Sequence, residues 1–481
     1  MEDDTPTYNI TQDSHTLRIA DPRSRAAETF HVYDSDRTAG KTFGVYGIVE
    51  YDKSRYLITI SDARVAGSIH GSDVLEVRKI KIYTIGGTKN QLLIDRIAGF
   101  FGLPGLYFSK YDLFLRNSGQ KNREFLFNSH PLSVYRRHHT HFTVNCIQGF
   151  FGRWRDLCLI SRRSCLRAGV RYFSRGCDMD GNCSNFVETE QILLDSSSYL
   201  QIRGSIPLAW GHRVGWAYSP KIVLQKDDSH VFLRAHEHLK RMYGEDIIYL
   251  NLTKDYGYEK CVFEEFNRTR GALRGYNFDF HREISGKKYP FDFVKTGLTS
   301  TESTQNTVVR TNCMDCLDRT NSMQFIIGQR MLREQLGSRD QIDQYECEFR
   351  NLFHQNGVYL SLQYSGTPAL CVRHIQGGRS VALDRIRDGA YSCKRYLINR
   401  LSHGQLQNSY DILTGRKTGG ALVDRGRKTA TAICGFLILV ILAYLREEYK
   451  SLQICPTAAA ALLLFGLFYV LFSSILDLPF K

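Results

Sequence analysis

VRTNCMDCLDRTNS, running from Val309 to Ser322, sets Cys313, Arg319 and Thr320 in the spacing C-x5-R-[ST]. Five residues between cysteine and arginine let the backbone curl into a cup whose N–H groups point inward at one tetrahedral anion, and such a nest feeds a helix N-terminus. MQFIIGQRMLREQL follows directly, with helical periodicity. The inward dipoles, the helix end and the Arg319 guanidinium would all stabilise a thiolate, so Cys313 is expected to ionise well below the ordinary thiol value of about 8.5. Arg319 suits two phosphate oxygens in its planar fork, held more tightly as charge builds in a transition state, a geometry lysine reproduces poorly. Thr320 can hydrogen-bond the thiolate or assist its departure. Asn312, Met314, Cys316 and Leu317 supply the rest of the cup and are expected to contact substrate. The pattern points to phosphoryl transfer through a cysteine.

The same stretch contains Cys313-Met314-Asp315-Cys316, a C-x-x-C that can also be half a zinc site or a redox pair. No second C-x-x-C exists to complete a zinc site, and no β-α-β pattern frames this one as thioredoxin would require. Cys316 reads as a small side chain packed beneath the cup, or else as a thiol that traps an oxidised Cys313 as a disulfide.

Two further strings accompany the loop in order: ISRRSCLRAGVRYFSRGCDMDGNCSNFVETEQ at 160–191 and QIRGSIPLAW at 201–210. Together the three resemble the Sac-domain (suppressor of actin) phosphoinositide phosphatases, in particular the membrane-anchored branch of the endoplasmic reticulum and Golgi. The likeness runs from about residue 40 to the C-terminus. It implies a mixed α/β, α+β fold with a β-rich N-terminal Sac subdomain and a cysteine-phosphatase-like catalytic domain. It implies Cys313 as nucleophile and Arg319 as phosphate clamp, with no metal or other cofactor. Asp315 and Asp318 occupy positions that are acidic in the family, and one of them is a candidate general acid for the departing inositol hydroxyl; either can instead accept backbone hydrogen bonds that shape the loop. By the same likeness the leading substrate is phosphatidylinositol 4-phosphate. The chain departs from the family downstream of the loop, where Phe353-His354-Gln355-Asn356 stands in place of Trp-Ala-Asp-Asn, before the recognisable YSGTPAL at 364–370.

Composition bounds the alternatives. The chain has 481 residues, 43% of them hydrophobic, and this excludes a disordered protein. A formal charge of +14 fits an anionic partner, nucleic acid or an acidic membrane, and no nucleic-acid motif accompanies it. The polar, acidic start MEDDTPTYNITQD carries no secretory pattern, so the folded part is expected in the cytosol and the thirteen cysteines are expected to be reduced thiols.

Along the chain, 1–38 reads as a polar arm, 39–145 as the N-terminal Sac subdomain, and 146–415 as the catalytic domain. A basic juxtamembrane linker over 416–428 and a transmembrane hairpin over 429–476 complete the division. FGVYGIVEYDKSRYLITI and VLEVRKIKIYTI alternate with the period of strands. Arg153, Arg155, Arg162, Arg163, Arg167, Arg171 and Arg175 crowd one stretch against a single acid, Asp156. LCLISRR and VRYFSRG read as strands around a turn at Leu166–Gly169. Some of these arginines are expected to pair with Glu188 and Glu190, while Arg162 and Arg163 are taken as contacts for an anionic headgroup. Arg136, Arg137, His138, His139 and His141 read as a solvated basic loop rather than a metal site. SVALDRIRDGAYSCKRYLINRL, 380–401, reads as a helix packed on the core. Thr429–Leu445 is 17 residues without a charge and Ile454–Leu476 is 23, against about 20 needed to span a bilayer. Arg416, Lys417, Arg425, Arg427 and Lys428 precede them, which places the catalytic part on the cytosolic side of an endoplasmic reticulum or Golgi membrane. Two other readings stay open: a protein-tyrosine or dual-specificity phosphatase sharing the loop chemistry, and a non-catalytic phosphoinositide-binding tether.

Overall fold

Three short segments near the start, YNITQ, TLRIA and AETFH, bury every second residue. In the computed structural model they are β1 (Tyr8–Gln12), β2 (Thr16–Ala20) and β3 (Ala27–His31), and with β4 (Thr38–Thr42) they form an antiparallel sheet in the order β3-β2-β1-β4. The structure describes residues 7–13, 15–33, 38–116, 122–135, 140–193, 197–212, 220–225, 229–280, 305, 307–337, 339–370, 375, 382–420 and 422. One face of this sheet packs Ile10, Leu17, Ile19 and Phe30 against Val45, Leu57 and Tyr83. The arm expected over 1–38 is therefore corrected: alternation sets a water-facing polar residue beside each buried one, and the average composition looks like that of an unfolded arm.

The fold is mixed α/β. Its frame is built from β5 (Gly44–Tyr51), β6 (Ser54–Ile69), β7 (Ser72–Gly86), β8 (Leu106–Ser109), β9 (Cys146–Trp154), β10 (Leu157–Arg163), β11 (Val187–Leu193) and β12 (Ser197–Ser205). A small hairpin-like pair, β13 (Trp210–His212) and β14 (Ile222–Leu224), stands apart, and β15 (Asp246–Asn251), β16 (Gly275–Asn277) and β17 (Thr307–Cys313) return to the frame. The result is one eleven-stranded sheet, β16-β15-β17-β12-β11-β10-β9-β8-β7-β6-β5. The pairs β15/β16, β15/β17 and β12/β17 are parallel and the others are antiparallel. The ladder between β8 and β9 aligns Tyr107 with Ile147, so backbone pairing runs straight across the boundary expected at 145.

Helices cover the sheet. Early in the chain, α1 (Gln91–Phe101), its N-terminus capped by Asn90, and α2 (Ser129–Tyr135) lie on the antiparallel half. Phe232 of α3 (Ser229–Tyr243) and Phe266 of α4 (Lys260–Arg270) pack with Ile160, Ile202 and Tyr249 on one face of the half that contains the parallel strands. Phe325 of α5 (Asp318–Leu336) and Phe349 and Phe353 of α6 (Arg339–Ser365) pack with Phe150 and Leu159 on the other. Burial on both faces explains why TVVRTNC carries no polar alternation. Two further helices, α7 (Ala382–Leu401) and α8 (His403–Leu413), follow. Among the described residues no helix is long and apolar enough to cross a membrane. The hairpin expected over 429–476 and most of the linker over 416–428 lie outside them, as do Arg136, Arg137, His138 and His139.

The arginine-rich stretch divides by backbone. LCLISRR is β10 as expected, but VRYFSRG is turn rather than strand. This corrects Arg162 and Arg163 as headgroup contacts, because in a central strand both guanidinium groups are consumed internally. Arg162, 1% exposed, donates to the Leu113 carbonyl at 2.6 Å, the Leu115 carbonyl at 2.7 Å and Glu188 at 3.0 Å, and pairs with Glu190 at 2.7 Å. Arg163 donates to Gln148 at 3.2 Å, to the Tyr410 hydroxyl at 2.7 Å and to the Gly169 carbonyl. Glu188 also accepts from Arg116 at 3.1 Å and from the Tyr243 hydroxyl at 3.0 Å. Removing it takes a buried carboxylate from both Arg116 and Arg162 and leaves Glu190 as the carboxylate paired with Arg162, so Glu188→Ala should lower unfolding free energy by about 3–5 kcal/mol in chemical denaturation, while Arg153→Ala, an exposed site, should change it little.

Candidate active site

Cys313 is the last residue of β17, and the chain leaves the sheet there between two parallel neighbours. Cys313 pairs with Ser205 of β12, Asn312 with Asn251 of β15, and the Leu252 N–H donates to the Asn312 carbonyl at 2.9 Å. Carboxyl ends of neighbouring parallel strands open onto a crevice where such sheets bind ligands. Four residues, Met314 to Leu317, then turn the chain into α5. The turn needs Cys316 in the left-handed region, at φ 52°, and Asn185 steadies it by donating from its side chain to the Asp315 carbonyl at 3.0 Å and the Cys316 carbonyl at 3.4 Å. Ser205 donates to the Met314 carbonyl at 3.3 Å.

Above this turn lies a cleft of about 310 Å³ whose wall includes Met314, Asp315, Asp318 and Arg319. The cleft draws Arg171, Tyr172 and Arg175 from the segment after β10, Tyr258 and Glu259 from the segment after β15, and Ser392, Arg395 and Tyr396 from α7. The expected clamp, Arg319, shares this wall with Asp315 and Asp318 and is close enough to Cys313 to act on its thiol. Cys313 itself is buried, 3% exposed, directly before Met314 of the cleft wall. Thr320 and Asn312 are fully buried, and their side-chain polar atoms have no partner among the described residues. Cys316 and Leu317 are buried beneath the turn, the Cys316 sulfur donating to the Cys313 carbonyl at 3.5 Å.

Charge pairing distinguishes the two carboxylates. Asp315 accepts from Arg171 Nε at 2.8 Å and from Arg175 Nη2. Burial alone would raise its carboxyl, but Arg171 and then Arg175 hold it well below the usual carboxylate range. It is ionised at neutral pH and has no proton to give, which corrects it as a candidate general acid. Asp318 accepts from the Leu370 N–H at 2.6 Å and from Arg395 Nη1 at 2.9 Å, so both oxygens are occupied in tying α5 to α7 and to the YSGTPAL segment. Phe353 offers its carbonyl to the Asn321 side chain at 3.1 Å.

Cys313 departs from expectation. Burial is the largest influence and raises its thiol; Arg319 pulls it down, but Glu259 and Asp315 push it up again, and the Cys316 N–H supplies one compensating hydrogen bond. Among these neighbours the thiol is held above its ordinary value. Of these two carboxylates Asp315 lies in the loop itself, whereas Glu259 comes from a distant segment that the loop-only reading did not include.

The residues that reading missed are Arg171, Arg175, Glu259 and Arg395. Arg171 and Arg175 stand in the same arginine run as Arg162 and Arg163, and only the end of β10 separates their fates. Glu259 carried no local signal, since only the pairing of β15 with the strand that ends at Cys313 brings it here. Cys177 and Cys183 form a disulfide, against the expectation of reduced thiols. The Asp178–Asn182 turn, held by Asp178 N–H to the Asn182 carbonyl at 3.1 Å, brings their Cα atoms within 4.1 Å. Among the described residues no group of three or more His, Cys, Asp or Glu side chains gathers to hold a metal.

Fold and site define a protein with a cysteine and an arginine on an anion-cupping turn between a parallel strand and a helix. Residues 43–285 match the SacI homology domain, and the chain belongs to that family. Phosphatidylinositol-3-phosphatase SAC1-A of Danio rerio is 31% identical over 444 residues, covering 77% of this chain and 75% of the relative. Phosphoinositide phosphatase SAC7 of Arabidopsis thaliana is 29% identical over 446 residues, covering 78% and 74%. Phosphatidylinositol-3-phosphatase SAC1 of Saccharomyces cerevisiae is 34% identical over 304 residues, covering 54% and 49%.

The raised Cys313 thiol has a readable sign. With its proton held more tightly than in a free thiol, the thiolate fraction grows as pH rises. Alkylation of Cys313 by iodoacetamide, followed by mass spectrometry, should climb about tenfold per pH unit between pH 6.5 and 8.5. A plateau already reached at pH 6.5 would mean that the cup's dipoles outweigh burial.

Proposed function

We propose that this chain hydrolyses the monoester phosphate of a phosphoinositide headgroup through a Cys313 phosphoenzyme, with phosphatidylinositol 4-phosphate as leading substrate. Its family makes it a phosphoinositide phosphatase. The observation that carries the mechanism is the seat of Cys313 at the end of β17, one residue before Met314 in the cleft wall and close enough to Arg319 for the guanidinium to pull its thiol down. The Cys313 sulfur attacks phosphorus, an S–P bond forms as the ester P–O bond breaks, and the inositol oxygen takes up a proton. Water then adds to phosphorus, the S–P bond breaks, and inorganic phosphate leaves as the thiolate is regenerated. Arg319 meets the charge that builds on the equatorial oxygens. The buried Thr320 hydroxyl is free to hydrogen-bond the sulfur as it departs.

Membrane attachment is the second part of this reading and rests on the apolar stretches 429–445 and 454–476, with the endoplasmic reticulum, or the Golgi, as the proposed location. From Gly415 to Lys428 an extended linker reaches at most about 50 Å, which suits action on the membrane that carries the protein.

Two zebrafish relatives and the yeast one bear a 3-phosphatase name, so the deciding assay measures phosphate release from a panel with the 3-, 4- and 5-monophosphates. The 4-monophosphate is expected to be turned over fastest. Cys313→Ser should fold normally and lose roughly a thousandfold or more of this activity, since an alkoxide is far scarcer than a thiolate, and Arg319→Lys should be nearly inactive. Near-normal turnover by Cys313→Ser would remove the phosphoenzyme, and faster release from phosphotyrosyl peptides than from any lipid would assign the protein to the other phosphatase class.

A further inference from the structure

Glu259 is a carboxylate beside a site for an anion, a placement that opposes binding unless the carboxylate does something there. It ends a short turn, Gly257–Glu259, in the segment between β15 and α4. Its carboxylate is anchored from behind, accepting the Lys254 N–H at Oε2 over 3.0 Å. In front it meets Arg319 end-on, Oε2 accepting from Nη1 at 2.9 Å and Oε1 from Nη2 at 2.6 Å. Arg319 Nη1 also donates to the Leu252 carbonyl at 2.8 Å.

A guanidinium has five N–H groups in a fixed plane. Here both on Nη1 and one on Nη2 are taken. The two left, on Nε and Nη2, lie along one edge of the plane, and among the described residues no hydrogen bond uses them. That edge is the side-on fork that binds two oxygens of one phosphate. Arg319 is also near enough to Cys313 to be the chief influence lowering its thiol. The other charged neighbours of the cup, Asp315 with Arg171 and Arg175, are paired among themselves.

We propose that Glu259 is a positioning residue, gripping the end of the Arg319 guanidinium so that the side-on edge alone is presented to the substrate phosphate above Cys313. The inference deepens the phosphatase reading and rests on it. Its rival is that Glu259 is a competing counter-ion that phosphate must displace, and the two predict opposite signs.

Orthovanadate, which adopts a five-coordinate, transition-state-like shape on a thiolate, and inorganic phosphate are the probes, titrated calorimetrically into the full-length chain in detergent. Glu259→Gln keeps the shape but loses the charged grip, so vanadate should bind roughly tenfold or more weakly, with phosphate weakened less. In an Arg319→Lys background the same change should add less than about twofold, because the residue through which Glu259 acts is already gone. Glu259→Asp keeps the charge but falls short of both nitrogens and should also weaken vanadate; it serves as the variant if Glu259→Gln fails to fold. Unchanged or tighter vanadate binding in either variant, or fully additive losses with Arg319→Lys, would overturn the proposal. Weaker vanadate binding in a protein that releases phosphate from no phosphoinositide would retain the positioning role and reject the lipid substrate.

Discussion

The parallel ladder that holds β17 between β12 and β15 is the constraint from which the site follows. It places Cys313 where one strand ends and both neighbours end beside it, so three chain segments leave the sheet around one sulfur. Each departing segment contributes to the cleft: Ser205 supports the Met314 carbonyl, Leu252 and Glu259 hold Arg319, and the loop itself turns into α5. None of these contacts survives a shift in register, because a one-residue slip exchanges the two faces of a strand.

Around that seat, charge is contained by pairing. Asp315 with Arg171 and Arg175, Asp318 with Arg395, and Glu259 with Arg319 form three separate groups along one cleft. A cleft with this many arginines could bind anions promiscuously. Pairing leaves specified edges of the guanidinium groups exposed, and those edges set geometry as well as charge.

Much of this was legible in the sequence, for reasons that are local. The C-x5-R-[ST] spacing located the loop, and the 3.6-residue period of MQFIIGQRMLREQL located the helix after it. Strand alternation located β5 to β7. Where one residue's environment depends on distant segments, local reading failed. Arg162 and Arg171 are alike in composition, yet β10 buries one in the sheet while the turn after it sends the other into the cleft. The ionisation of Cys313 depends on Glu259, fifty-four residues earlier by number, and only the packing of β15 beside β17 brings the two together. The first three strands looked like a disordered arm because their buried positions are isolated apolar residues in polar surroundings.

The Cys177–Cys183 bond closes a small covalent ring whose two exits are Gly176, preceded by Arg175, and Ser184, followed by Asn185. Arg175 grips the Asp315 carboxylate and Asn185 grips the backbone of the same turn. The ring is thus the rivet of a pair of pliers: one covalent bond ties together two jaws, ten positions apart in the chain, that close on the same turn.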